Sequence, residues 1–159
     1  MLAVEQEVLI VTVITGDEAR VLKNMFIDRF VDKQSSWYHA LLKQLQESQG
    51  KHYHGCLWDS LFRANLRVVP MDYVANHLRQ YESVYLFWDN HPEICFTWRN
   101  PHWSYPKNCL LRLSFSQWEE MKDLLPEDCY LFDETLTWAV ALTHEESSPG
   151  CRVCYYLMQ

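Results

Sequence analysis

The last third of the chain carries the clearest alternation of hydrophobic and polar positions. Counted in steps of two, Tyr130, Phe132, Leu136, Trp138, Val140 and Leu142 fall on one face, and smaller residues from Thr135 to Thr143 fall on the other. Two such runs, 128–133 and 136–144, predict a β-hairpin. A sheet with this asymmetry packs its large face into a core and lets a helix, a second backbone or a ligand approach its small face.

The first half of the chain predicts mainly helices. Val8 to Ile14 is a continuous β-branched run typical of a strand, and apolar residues then recur at three- and four-residue spacing over 19–30. A second helix is predicted to begin at Ser35 or Ser36 and to end at Gly50. Further helical segments are predicted at 57–62, from Pro70 to about residue 80, and after the capping-box pattern Ser116–Glu119.

Aromatic and β-branched runs add strands to the hairpin. Segments 83–88 and 93–98 flank the turn-forming residues 89–92, and 110–113 is a further apolar run. We therefore predict a single α+β domain over 1–159, in which an antiparallel sheet packs against the N-terminal helices. Its strands lie near 83–88, 93–98, 110–113, 128–133 and 136–144, and 146–159 is predicted to be a loosely specified tail.

Charge and composition narrow the class of partner. Lys and Arg number 14 against 21 for Asp and Glu, and the net charge of -7 repels phosphate backbones. We expect no nucleic-acid binding and predict a basic protein partner. The run from Val8 to Ile14 is too short to span a bilayer and follows two glutamates, which predicts a cytoplasmic protein that binds no membrane. The six scattered cysteines indicate mostly reduced, buried thiols.

Motifs for catalysis are absent from the sequence. Its four glycines cannot form a phosphate-binding loop, and no nucleophile elbow or catalytic carboxylate pair occurs. We predict neither catalytic residues nor a cofactor. Aromatic and basic residues instead concentrate in one proline-containing loop, with the composition of an interface hot spot: Trp98, Arg99, His102, Trp103 and Tyr105. The alternative is a loop that folds these rings over the sheet edge.

The end of the terminal hairpin offers a second group of polar residues. His144 beside Glu145 has the chemistry of a general base or metal ligand. Asp133 lies at the turn, roughly 25 Å from His144 at about 3.3 Å per residue, so the two cannot form a dyad. The structural interpretation is that Thr143, His144 and Glu145 hydrogen-bond the neighbouring loop and fix the strand end. The functional interpretation places Asp133, His144 and Glu145 in the partner-binding surface.

A third segment contains residues of the types that bind zinc. His52, His54 and Cys56 alternate, so an extended backbone would place them on one face, and Cys151 and Cys154 could complete a zinc site. A lone Cys-x-x-Cys is weak support for such a site, and exposed loop histidines are the simpler interpretation. We therefore predict no metal.

The pattern Tyr130-x-x-Asp133-x4-Trp138-x4-Thr143-His144-Glu145 resembles the C-terminal signature of a bacterial family of small proteins of unknown function. The resemblance covers about 16 residues closely, and the chain departs from it at Ala139 and in its cysteine-containing tail. By analogy, small acidic α+β proteins of this type resemble toxin-immunity proteins. The resemblance thus implies a binding protein rather than an enzyme.

The leading hypothesis is a non-catalytic immunity or antitoxin-type protein that neutralises a basic toxin. A small-ligand- or metal-dependent enzyme that uses His144 and Glu145 is the alternative, and an oligomeric structural protein is the third.

Overall fold

The computed structural model describes residues 11–90 and 105–159. Within them, seven strands form one sheet in the order β1-β4-β3-β5-β6-β7-β2, and every neighbouring pair is antiparallel. The strands are β1 (Thr12–Ile14), β2 (Leu66–Val69), β3 (Val84–Trp88), β4 (Leu110–Leu113), β5 (Cys129–Phe132), β6 (Trp138–Ser148) and β7 (Cys151–Met158). The predicted α+β class is confirmed. The predicted strand 93–98 and residues 8–10 lie outside the described residues.

Four helices in the described residues pack on this sheet, and they are numbered in chain order. They are α1 (Gly16–Phe30), α2 (Ser36–Glu47), α3 (Met71–Leu78) and α4 (Phe115–Met121), with short 3-10 turns at Leu57–Ser60 and Arg63–Asn65. Ser35 caps α2, as predicted, because its hydroxyl accepts a 3.1 Å hydrogen bond from the backbone N–H of Tyr38.

The capping box of α4 lies two residues earlier than predicted. The Ser114 hydroxyl accepts from the Gln117 N–H at 3.2 Å, and the Gln117 side chain accepts from the Ser114 N–H at 2.9 Å. Both Ser-x-x-Gln and Ser-x-x-Glu fit the capping pattern. The earlier one forms because β4 ends at Leu113, so the chain leaves the sheet at Ser114.

Both faces of the sheet are covered, which gives three layers, and the N-terminal helices form one of them as predicted. On one face, α3 and α4 contribute buried side chains including Val74, Leu78, Trp118 and Met121. On the other face, α1, α2 and the Leu57–Ser60 turn contribute Phe26, Phe30, Leu41, Leu57 and Trp58.

The predicted hairpin forms, but its two strands are out of phase with the predicted alternation. Tyr130 pairs with Ala141, and Phe132 pairs with Ala139, so these large rings share a face with small residues. Trp138 lies on the opposite face. The alternation was counted through the turn, where Leu136 has a φ of 52° and the backbone is no longer extended.

The predicted loose tail is wrong, because residues 151–158 form β7 in the interior of the sheet. This strand pairs with β6 on one side and with β2 on the other. Its residues Cys154, Tyr156 and Leu157 are buried. The sequence pattern did not predict β2 as a strand. Without β2, the sheet offers no second strand with which residues 151–158 could pair.

Candidate functional site

Polar side chains converge where β6 extends past the end of β5. Only residues 139–142 of β6 pair with β5, and the following residues pair with β7 alone. Asp128 immediately precedes β5 at this position. The loop that contains Cys56 packs against the same end, because the following 3-10 turn buries Leu57 and Trp58. Three separate chain segments therefore meet beside His144.

Asp128 is the hydrogen-bonding centre of this region, although only 3% of its surface is exposed. Its Oδ1 accepts from the backbone N–H of His144 and from the indole Nε1 of Trp58, each at 3.0 Å. The Nδ1 atom of His144 lies 3.0 Å from both carboxylate oxygens. These bonds attach His144 to the loop before β5, as the structural interpretation predicted, but β6 continues to Ser148, so they lie within the strand rather than at its end.

Cys56 completes a compact group with Asp128 and His144. One ligand atom from each of the three lies within 4.8 Å of the others. The thiol is buried and hydrogen-bonds the Asp128 carboxylate. Burial, followed by the negative charges of Asp128 and Asp89, raises the pKa of the Cys56 thiol far above its ordinary value. A nucleophilic cysteine requires the opposite shift, so this arrangement does not activate the thiol for covalent catalysis.

A second buried carboxylate, Asp89, lies behind this group. It accepts from the Tyr53 hydroxyl at 2.5 Å and from the Tyr130 hydroxyl at 2.7 Å. The Tyr130 oxygen in turn accepts from the Trp58 backbone N–H at 2.8 Å. Burial raises the pKa of Asp89 to about 7, although both tyrosine hydrogen bonds oppose that rise. The network ties β3, β5 and the loop around Cys56 into one unit.

Arg152 supports the site from β7. Its Nε donates to the Thr143 carbonyl at 2.6 Å, and its guanidinium also bonds the carbonyl of Glu127. The Thr143 hydroxyl donates to the Val153 carbonyl at 2.8 Å. One arginine thus joins the loop before β5 to the β6–β7 pair, and it holds Asp128 beside His144.

An aromatic crevice opens next to the group. It has a volume of about 90 Å³ and is lined by Trp58, Asp59, Leu61, Arg63, Leu66 and Tyr155. Two of these residues, Trp58 and Tyr155, pack ring against ring, with centroids 5.8 Å apart. Burial and then the charge of Glu145 raise the pKa of Asp59, whereas the charge of Arg63 lowers it. The crevice therefore combines two aromatic rings with the Asp59 carboxylate and the Arg63 guanidinium, and Glu145 adds a second negative charge nearby.

The residues predicted to bind a partner separate into four groups. His144 and Glu145 are exposed at the site. Asp133 is only 6% exposed, and its carboxylate accepts from the backbone N–H and hydroxyl of Thr135, so it serves the turn rather than a surface. Tyr105 is half-buried against the core. Trp98, Arg99, His102 and Trp103 lie outside the described residues.

The alternative zinc ligands do not come together. His52 and His54 are exposed beside α2, lining a separate cleft, whereas Cys56 is buried. Cys151 is exposed, and the Cys154 thiol contacts the sulfur of Met71 at 3.9 Å. Among the described residues, the three-ligand group contains only Cys56 from this alternative set.

Sequence analysis missed Asp89, Asp128, Asp59 and Arg152. Two of these residues, Asp89 and Asp128, are brought together by the pairing of β3 with β5. Trp88 pairs with Cys129, and this register places Asp89 and Asp128 side by side. Each is an acidic residue next to a buried strand end, a position where a carboxylate needs partners. Asp89 was interpreted as part of a turn, and the strand pairing could not be read from local patterns.

Comparison with protein-family models, curated proteins and solved structures finds no match for this chain. The resemblance to a bacterial family therefore stays a prediction. No helix within 11–90 and 105–159 combines the length and apolarity needed to cross a membrane.

Proposed function

We propose that this chain is a non-catalytic binding module for a basic protein. The observation that carries the proposal is the Trp58–Tyr155 crevice, where Asp59 and Glu145 add negative charge near two aromatic rings. A lysine or arginine side chain fits this chemistry, because its alkyl stem can pack on the rings while its cationic end approaches the carboxylates. Arg63 also lines the crevice, so a partner's cation would compete with this guanidinium for Asp59.

The rest of the site supports binding rather than turnover. Asp128 and Asp89 are buried within hydrogen-bond networks, and the Cys56 thiol is held in its protonated form. A rigid, pre-organised surface reduces the ordering cost of association. The net charge of -7 would accelerate encounter with a basic partner. We propose a cytoplasmic bacterial immunity protein as the specific form of this module, with a basic toxin as its partner.

The test begins with capture of partners from the native cell extract, followed by purification of any basic protein retained at equal stoichiometry. The Asp59→Asn/Glu145→Gln double variant should then bind that protein at least about tenfold more weakly, with a shallower salt dependence. The control is Glu18→Gln/Glu82→Gln, which removes two exposed carboxylates that do not line the crevice. Equal affinity of both double variants, or no basic protein at equal stoichiometry, would refute the proposal.

A further inference from the structure

We propose that Cys56, Asp128 and His144 form a binding site for one zinc ion. These residues supply sulfur, oxygen and nitrogen ligands, a combination that zinc accepts with tetrahedral geometry. The site shares only Cys56 with the histidine and cysteine set at 52–56 and 151–154. Its other ligands are Asp128, which immediately precedes β5, and His144, which lies within β6.

The geometry is close to that of a zinc site. Ligand distances of about 2.0–2.3 Å place the ligand atoms of tetrahedral zinc about 3.3–3.7 Å apart. The three atoms here lie within 4.8 Å of one another, so closure requires movements of about 1 Å. The His144 side chain can make this movement because 47% of it is exposed, whereas Asp128 is held in place.

The surroundings of Asp128 leave one carboxylate oxygen available for the ion. The indole of Trp58 and the backbone N–H of His144 both donate to Oδ1. Oδ2 has the His144 ring as a neighbour, and the Cys56 thiol also hydrogen-bonds the carboxylate, so both groups would exchange a hydrogen bond for coordination. Metal-binding carboxylates are characteristically held by such outer hydrogen bonds, which orient the ligand before the ion arrives.

Local charge also favours a cation. Asp128 is buried, and the half-buried Asp59 and the exposed Glu145 add negative charge near it. Zinc would displace the thiol proton of Cys56, which leaves to solvent, and His144 would coordinate as neutral imidazole. With three protein ligands, the fourth position would face the solvent beside His144, as in zinc sites that keep an open position.

Cobalt titration of the chelator-treated full chain tests the site, since Co²⁺ bound to a thiolate gives a charge-transfer absorption band. We expect one equivalent of Co²⁺ to produce this band and one equivalent of Zn²⁺ to abolish it. Cys56→Ser should eliminate the band. The control Cys151→Ser removes an exposed thiol on β7, outside the site, and should retain the band. The double variant His52→Ala/His54→Ala should also retain it.

Two further variants keep the test decisive if Cys56→Ser does not fold. His144→Ala removes an exposed ligand and should weaken Zn²⁺ binding at least about tenfold. Trp58→Phe keeps an aromatic ring but removes the Nε1–H that orients Asp128, and about a tenfold loss is expected. Absence of the band, or its persistence in Cys56→Ser, would overturn the site. This result is independent of partner capture, because the titration needs only the metal and the chain.

Discussion

At the scale of single residues, the most unusual group is the buried carboxyl of Asp89. Only 1% of its surface is exposed, and two tyrosine hydroxyls and the Leu57 backbone N–H surround it. Removal from water raises its pKa to about 7 from the ordinary 3.8. The folded chain therefore holds a proton that the unfolded chain releases near pH 4.

This difference predicts a pH-dependent stability. Between about pH 4 and pH 7 the folded state binds more protons at Asp89, so this group's contribution to the free energy of unfolding falls as pH rises. Asp89→Asn removes that contribution. From pH 4.5 to pH 7.5, the free energy of unfolding of the variant should therefore rise relative to the unchanged protein by up to the order of 4 kcal/mol.

Urea unfolding of both proteins at the two pH values measures the change. The control is Asp123→Asn, the same substitution at an exposed position shortly after α4. A difference between Asp89→Asn and the unchanged protein that stays constant across this range would contradict the prediction.

At the scale of elements, the sequence pattern predicted those helix starts and strands that depend on interactions between residues close in sequence. The Ser35 cap, the start of α3 after Pro70 and the strands at 84–88 and 110–113 depend on neighbours in sequence. The position of the α4 cap depends on where β4 ends. Both Ser114 and Ser116 fit the capping pattern, and Ser114 is the cap because β4 ends at Leu113. The site itself was predicted only at His144 and Glu145, because Asp128, Trp58 and Cys56 reach it through non-local packing.

The two competing serines give a direct test of the α4 cap. Ser114→Ala should lower the free energy of unfolding by about 1 kcal/mol, because it removes the acceptor for the Gln117 N–H. Ser116→Ala changes an exposed residue within the helix and should have an effect within about 0.5 kcal/mol. Thermal or urea unfolding distinguishes them, and a larger loss for Ser116→Ala would restore the position predicted from sequence.

At the scale of the whole molecule, β7 joins parts of the chain that are far apart in sequence. It connects β2 to the rest of the sheet, and its Arg152 holds the loop before Asp128. Sequence patterns give no direct information about such pairings, since they depend on which distant strand is available. The same strand therefore links the stability of the sheet to the position of the site.

Adjacent residues near the end of β7 test its role. Leu157 is 1% exposed, and its truncation to alanine should cost about 2–5 kcal/mol through lost burial and a new cavity. Met158 is 56% exposed, so Met158→Ala should cost about 0.5 kcal/mol or less. Chemical denaturation measures both, and equal small losses would mean that this strand does not belong to the core.

In the β5–β6 hairpin, the alternation of side-chain faces reverses once at the turn, and this restricts changes in the length of the loop. Tyr130 faces α1 and Trp138 faces α3 only because the residues between the strands reverse the alternation once. Losing or gaining one residue between Asp133 and Thr137 would point one strand's rings toward the wrong layer, provided the pairing adjusted to the new loop. Changes by two residues would preserve both layers. Sequence drift in this loop should therefore tolerate substitutions and paired insertions far better than single-residue gaps.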